Sequence, residues 1–145
     1  MKLLHIIPRF IGGGPERHLL ALAEAWRTAG LQTRQRILVL DPPASAPLLI
    51  KARRLGIELL IAPELPAIRN AIAEADIVEV EFWNHPRLHD LLRQELPPAR
   101  WIIRSAVAGN TAPQVLTEGI GTVADIIILS TDASLQTPAV CEARA

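Results

Sequence analysis

Three consecutive glycines, Gly12, Gly13 and Gly14, stand directly before Pro15, and Glu16 and His18 follow within one helical turn. A glycine turn that runs into a helix leaves several backbone N–H groups unpaired at the positive end of the helix dipole, with no Cβ to hold a ligand away. A phosphate or a sugar hydroxyl fits such a place. Glu16 there has two readings, stabilisation of the helix dipole or ligand contact. His18 is either a helix residue hydrogen-bonded within the fold or a proton carrier.

A second group of chemically capable residues, Glu81, Trp83, Asn84 and His85, falls just past an apolar run, and a third, Arg104 and Ser105, ends another. Trp83 could stack on a sugar ring or cover the edge of the core. Asn84 could cap the next helix or touch an acceptor. Arg9 and Arg104 suit a phosphate or a charged acceptor, since a guanidinium offers a fork of donors, and salt bridges to Glu16 or Glu81 would account for them equally.

Several chemistries are excluded. Gly12, Gly14 and Asp41 are compatible with a dinucleotide fingerprint, but the third glycine would fall at Arg17 and the turn is too long. No Gly-Lys-Ser/Thr follows the glycines, so a P-loop is unsupported, and Ser105 lacks the glycine-flanked elbow of a serine hydrolase. His85 and His89 stand one helical turn apart without a third ligand at a recognisable spacing, so no metal is expected.

The elements that position these residues alternate regularly. Lys2 to Ile7 reads as a strand buried on both faces, followed by the glycine turn and a helix from Pro15 to Ala29 that buries Leu19, Leu22, Ala23 and Trp26. Strands are expected at Leu31–Leu40, Ile57–Ala62, Asp76–Phe82, Trp101–Ile103 and Asp125–Leu129. Helices are expected at Ser45–Leu55, Ala67–Ala75 and His85–Glu95, and a turn at Asp41-Pro42-Pro43. Ser105 to Thr122 reads as a functional loop with a weak helix at Gln114–Glu118, and Ser130–Ser134 begins a further loop and helix. This order predicts one α/β domain over residues 1–145, a doubly wound, Rossmann-like parallel sheet of about six strands with helices on both faces and ligands at the carboxyl ends of the strands.

Composition agrees. The 145 residues are half apolar and only 3% aromatic, which favours a helix-and-sheet core over an aromatic-rich sandwich. Fifteen basic and fifteen acidic residues balance, so no global field draws nucleic acid. The single cysteine, Cys141, forms no internal disulfide. No apolar run of about 18 residues suggests a transmembrane segment, and no signal peptide is evident. A cytoplasmic protein, with room for peripheral attachment to a membrane, is expected.

The run HIIPRFIGGGPERHLLALAEAWRTAG resembles the amino-terminal opening of retaining glycosyltransferases of the GT-B fold, sequence family four. Gly13-Gly14-x-x-x-His18 is its most specific piece. The likeness continues through Asp76-Ile-Val-Glu79, Phe82-Trp-Asn-His-Pro86, Trp101–Gly109 and Ala124-Asp-Ile-Ile-Ile-Leu-Ser130 in family order. It implies the acceptor-side half of a two-domain enzyme that moves a sugar from a nucleotide-sugar to a hydroxyl acceptor with retention. That nucleotide-sugar is a co-substrate, and no cofactor or metal is implied. By this resemblance Gly13 and Gly14 would approach the donor's phosphate and sugar across a cleft; Gly12, Glu16, Asn84, His85, Arg104 and Ser105, placed by their own positions in the chain, complete the expected substrate-binding set. The family often carries a histidine at the end of the fifth strand, where Ala106 stands here. Either Arg104 or Ser105 substitutes, or the acceptor chemistry differs, or the alignment shifts by one residue.

The donor-binding carboxyl-terminal half is not matched, so this chain alone should not turn over. The alternative is a non-catalytic sugar- or phosphate-binding module that pairs with a separate donor-binding subunit. A chain ending soon after its sixth strand is expected to leave apolar surface exposed and to self-associate, as a homodimer.

Overall fold

The computed structural model describes residues 1–42 and 44–144. Of the expected turn at Asp41-Pro42-Pro43, Pro43 lies outside the described residues. The elements run β1 (Lys2–Ile7), α1 (Gly14–Thr28), β2 (Arg34–Val39), α2 (Ala46–Arg54), β3 (Glu58–Ile61), α3 (Leu65–Ala73), β4 (Ile77–Phe82), α4 (Pro86–Leu92), β5 (Trp101–Ser105), β6 (Asn110–Thr111), β7 (Gln114–Val115), α5 (Ile120–Val123), β8 (Ile126–Leu129), a 3-10 turn (Asp132–Gln136) and α6 (Pro138–Arg144).

Six strands form one parallel sheet in the order β3-β2-β1-β4-β5-β8. This is the doubly wound, Rossmann-like arrangement that the alternation predicts. The chain winds outward from β1 to β3, then returns through α3 to pair β4 with the free side of β1. The reversal leaves a crevice between the carboxyl ends of β1 and β4, where open α/β sheets bind ligands.

Alternation along each strand divides the core in two. Leu4, Ile6, Leu38, Val78, Val80 and Ile103 pack on one face with Ile72 of α3, Leu88 of α4, Ile120 of α5 and Val140 of α6. Ile7, Ile37 and Val39 pack on the other with Leu19, Leu20 and Ala23 of α1 and Ala52 of α2. Each such aliphatic side chain gains about 1.5–3 kcal/mol on leaving water.

The pairing β1·β4·β5·β8 sets a different row on that second face. His5 stands beside Glu79, Glu79 beside Ile102 and Ile102 beside Ile126; one step on, Glu81 stands beside Arg104 and Arg104 beside Ile128. Ile126, on the edge strand β8, is 53% exposed, so the undiluted apolar run there is only half covered.

Helix ends follow the glycine signals where positive φ is needed, at Gly30 (φ +70°) after α1 and Gly56 (φ +77°) after α2. The segment after β5 departs from expectation. Gln114–Val115 pairs antiparallel with Asn110–Thr111 rather than forming a helix, and the helical turn comes later, at Ile120–Val123. Gly109 accepts the Leu116 N–H, which closes the hairpin and drives the Leu116 side chain into the core.

Candidate functional site

A cleft of about 210 Å³ opens at the reversal point between β1 and β4. Its walls are Ile7, Pro8 and Arg9 from the end of β1, Ile11 and Gly13 from the glycine turn, Pro15 and Glu16 from the start of α1, and Glu81, Phe82 and Trp83 from the end of β4. Its charged lining residues are Arg9, Glu16 and Glu81, with Trp83 44% exposed beside them.

Glu81 is 2% exposed, and neither of its oxygens has a hydrogen-bond partner among the described residues. Arg104 Nε lies 3.6 Å away but is committed to Glu79 Oε1 at 2.8 Å. Burial first, and the neighbouring Glu79 carboxylate second, push the Glu81 carboxyl up to about 7, against the opposing pull of Arg104. Behind Glu79 stands His5, wholly buried on β1, with its Nδ1 3.9 Å from Glu79 and neither ring nitrogen hydrogen-bonded. Burial depresses its pKa more than Glu79 raises it, so it is held neutral. Ion pairs buried among aliphatic side chains are weak stabilisers, and a perturbed carboxyl at the rim of a cleft marks a functional candidate.

The glycine turn is organised around Glu16. This residue is buried, and its Oε1 accepts the Ile11 N–H at 3.1 Å across the turn. A Cβ on Gly13 would fall 2.9 Å from Glu16 Oε2, while one on Gly14 would meet nothing within 4 Å. Gly12 holds φ +110°, a conformation that glycine alone adopts readily. Glu16 therefore brings a negative charge of the chain's own to the helix start, the position a phosphate would occupy. His18 is exposed on α1.

The remaining predicted residues lie elsewhere on the same rim. Asn84 does not cap α4; His85 does, its Nδ1 accepting the Arg87 N–H at 3.3 Å. Asn84 instead ties β4 to the hairpin. Its N–H donates to Gln114 Oε1 at 2.8 Å, its Nδ2 donates to the Pro113 carbonyl at 2.6 Å, and its Oδ1 accepts from His89 Nε2 at 2.6 Å. The helix cap falls to His85 because the Asn84 side chain is engaged by Pro113 and His89.

His85 Nε2 faces Asp41 at 3.5 Å, where Arg9 (3.4 Å) and Arg87 (3.6 Å) also converge. Arg9 thus pairs with Asp41 rather than with Glu16 or Glu81. Ser105 is buried and its hydroxyl donates to the Val107 carbonyl at 2.9 Å, while Ala106 beside it is exposed. Of the predicted residues, the structure brings Gly13 and Glu16 into the cleft and sets Arg104 behind it; Asn84, His85 and Ser105 are engaged in local structure.

His5 and Glu79 were not legible as site residues. The signal was present in part: Glu79 and Glu81 alternate with valine in Ile77–Phe82, which places both on one face of a buried strand. Among the described residues no group of three His, Cys, Asp or Glu side chains is arranged to hold a metal, and no helix is long and apolar enough to cross a membrane. Comparison of the chain with protein-family models, with curated proteins and with solved structures finds no match.

Proposed function

We propose that this chain is the acceptor-side domain of a glycosyltransferase that moves a sugar from a nucleotide-sugar to a hydroxyl acceptor with retention. The observation that carries the reading is Glu81, a buried carboxylate without a hydrogen-bond partner among the described residues, lining the crevice at the reversal point of a doubly wound sheet. A hydroxyl donated to Glu81 would satisfy it, and Trp83 offers a flat apolar face to a sugar ring. The likeness of Gly13-Gly14-x-x-x-His18 to the family-four opening supports the same reading. The donor, its nucleotide and the rest of its site belong to a second half, in the same polypeptide or in a separate subunit.

The alternative, a binding module without catalysis, draws on the end of β5. Arg104 is committed to Glu79 and Ser105 to Val107, so neither takes the place of a histidine where Ala106 stands. In either case the half-covered isoleucines of β5 and β8 form a surface for self-association, proposed as a homodimer.

Transfer of labelled hexose from uridine and guanosine diphosphate sugars to methyl glycosides tests the proposal. The chain alone should give none. Joined to a donor-binding half it should give transfer, and Glu81→Gln should reduce it by roughly 100-fold or more, the scale of a positioned proton acceptor. Transfer by the isolated chain, or a joined enzyme indifferent to Glu81→Gln, overturns it; glycoside binding without transfer supports the module.

A further inference from the structure

We propose that the cleft between β1 and β4 takes an aminated saccharide, an acceptor that carries a protonated amine beside its hydroxyl groups. The inference rests on the acceptor-side reading and adds the chemical class of the acceptor.

The charges around the cleft carry it. Glu16 of α1 and Glu81 of β4 line the cleft, and Glu79 lies behind Glu81 on the same strand face. Arg104 of β5 bonds Glu79, offsets its charge and leaves Glu81 without a hydrogen bond. His5 of β1 is buried and neutral, and Arg9 on the rim is turned to Asp41. The cleft is therefore net negative.

That excess sorts the candidate ligands. A phosphorylated acceptor would bring negative charge toward Glu16 and Glu81 and is disfavoured. A neutral sugar would satisfy the lone pairs of Glu81 but leave the charge of the site uncompensated. An ammonium supplies three N–H donors and the missing charge, and charge-assisted hydrogen bonds are about twice as strong as neutral ones. Trp83, 44% exposed beside Glu81, adds a ring face on which a cation is attracted by the aromatic quadrupole. Ile11, Pro8 and Phe82 supply the apolar wall a sugar ring needs.

The test is titration of the 145-residue chain with methyl glucosaminide, methyl glucoside, methyl N-acetylglucosaminide and glucose 6-phosphate, followed through the Trp83 indole N–H signal. That signal is assigned with Trp83→Phe. The amine should bind at least 10-fold more tightly than the neutral glycosides at pH 7.5, where ammonium and carboxylate coexist, and its advantage should shrink toward pH 6 as Glu81 takes up a proton and above pH 8.5 as the amine loses one. Glu81→Gln should remove most of the preference and Glu16→Gln part of it; the comparison among probes on the unaltered chain stands even if a variant fails to fold. Equal binding of amine and neutral glycosides, or tighter binding of the phosphate, overturns the amine assignment and leaves the acceptor-side reading standing. If no glycoside moves the Trp83 signal, the acceptor-side reading fails and this inference fails with it.

Discussion

Arg104 Nε stands 3.6 Å from Glu81 Oε1, beyond hydrogen-bonding reach, because the same nitrogen bonds Glu79 at 2.8 Å. One cation thus serves two carboxylates on adjacent positions of a strand face. Only one of them is satisfied, and the unsatisfied one borders the cleft.

Stability should therefore depend on pH through Glu81. Its carboxyl is raised in the folded chain to about 7 from 4.5, so the folded state holds the extra proton between those values and loses stability as pH rises through them. The total is about 3 kcal/mol at 1.36 kcal/mol per unit. His5 acts oppositely: its lowered pKa makes folding less favourable as pH falls below 6.5. Subtracting the chemical-denaturation profile of Glu81→Gln from that of the parent cancels His5. The variant should be the more stable above pH 7, with the gap closing by pH 4.5; a constant difference across that range would sink the assignment.

Arg104→Met leaves Glu79 and Glu81 facing each other with no cation. Removing one partner of a buried pair typically costs 3–5 kcal/mol, and Arg104 is partly exposed, so a loss of about 3 kcal/mol is expected at pH 8. Glu81 takes up a proton as pH falls, so thermal unfolding should show the deficit shrinking by pH 5.

The glycines of the turn should separate structure from ligand contact. Gly12→Ala meets the strain of φ +110° and should cost about 1 kcal/mol or more. Gly14→Ala has open space around its new Cβ and should leave unfolding unchanged or slightly later. Gly13→Val is the informative change. Its backbone is extended, but the Cβ displaces the Glu16 carboxylate, so near-normal stability with lost glycoside binding is expected. Lost stability without a change in binding would make the turn purely structural.

Asn84→Ala removes two side-chain hydrogen bonds, one to the Pro113 carbonyl of the hairpin and one to His89 of α4, and keeps the backbone N–H bond to Gln114. Amide exchange at Asn110, Thr111, Gln114 and Val115 should accelerate at least 10-fold while exchange in β1 is unchanged. Uniform acceleration through the sheet would show that the hairpin is not an independent unit.

Ile126→Asp on the edge strand tests self-association. Light scattering at high concentration should show the parent chain as a dimer and the variant as a monomer, and a monomeric parent would remove the proposal.

Strand and helix positions were legible because apolar periodicity is a local property. Lys2–Ile7 is a near-continuous apolar run that suits a buried strand, Ile77–Phe82 alternates Val and Glu at strand period, and Gly30 and Gly56 end helices by a φ preference intrinsic to the residue. From that alternation the parallel, doubly wound sheet follows, since right-handed crossovers admit few other arrangements. The hairpin was not legible: a two-residue ladder has no periodicity, and Gln114–Val115 becomes a strand only because Leu116 reaches the core and Gln114 finds Asn84. The site was divided in the same way. The glycine turn and the group after β4 could be read in order along the chain. That Glu16 folds back onto the Ile11 N–H, that Arg9 turns to Asp41, and that His5, Glu79, Arg104 and Glu81 share one face were decided by strand register and by packing. Pairing of β1 with β4 joins residues 74 positions apart, such as His5 and Glu79, and no local preference encodes which of two carboxylates a single guanidinium will choose.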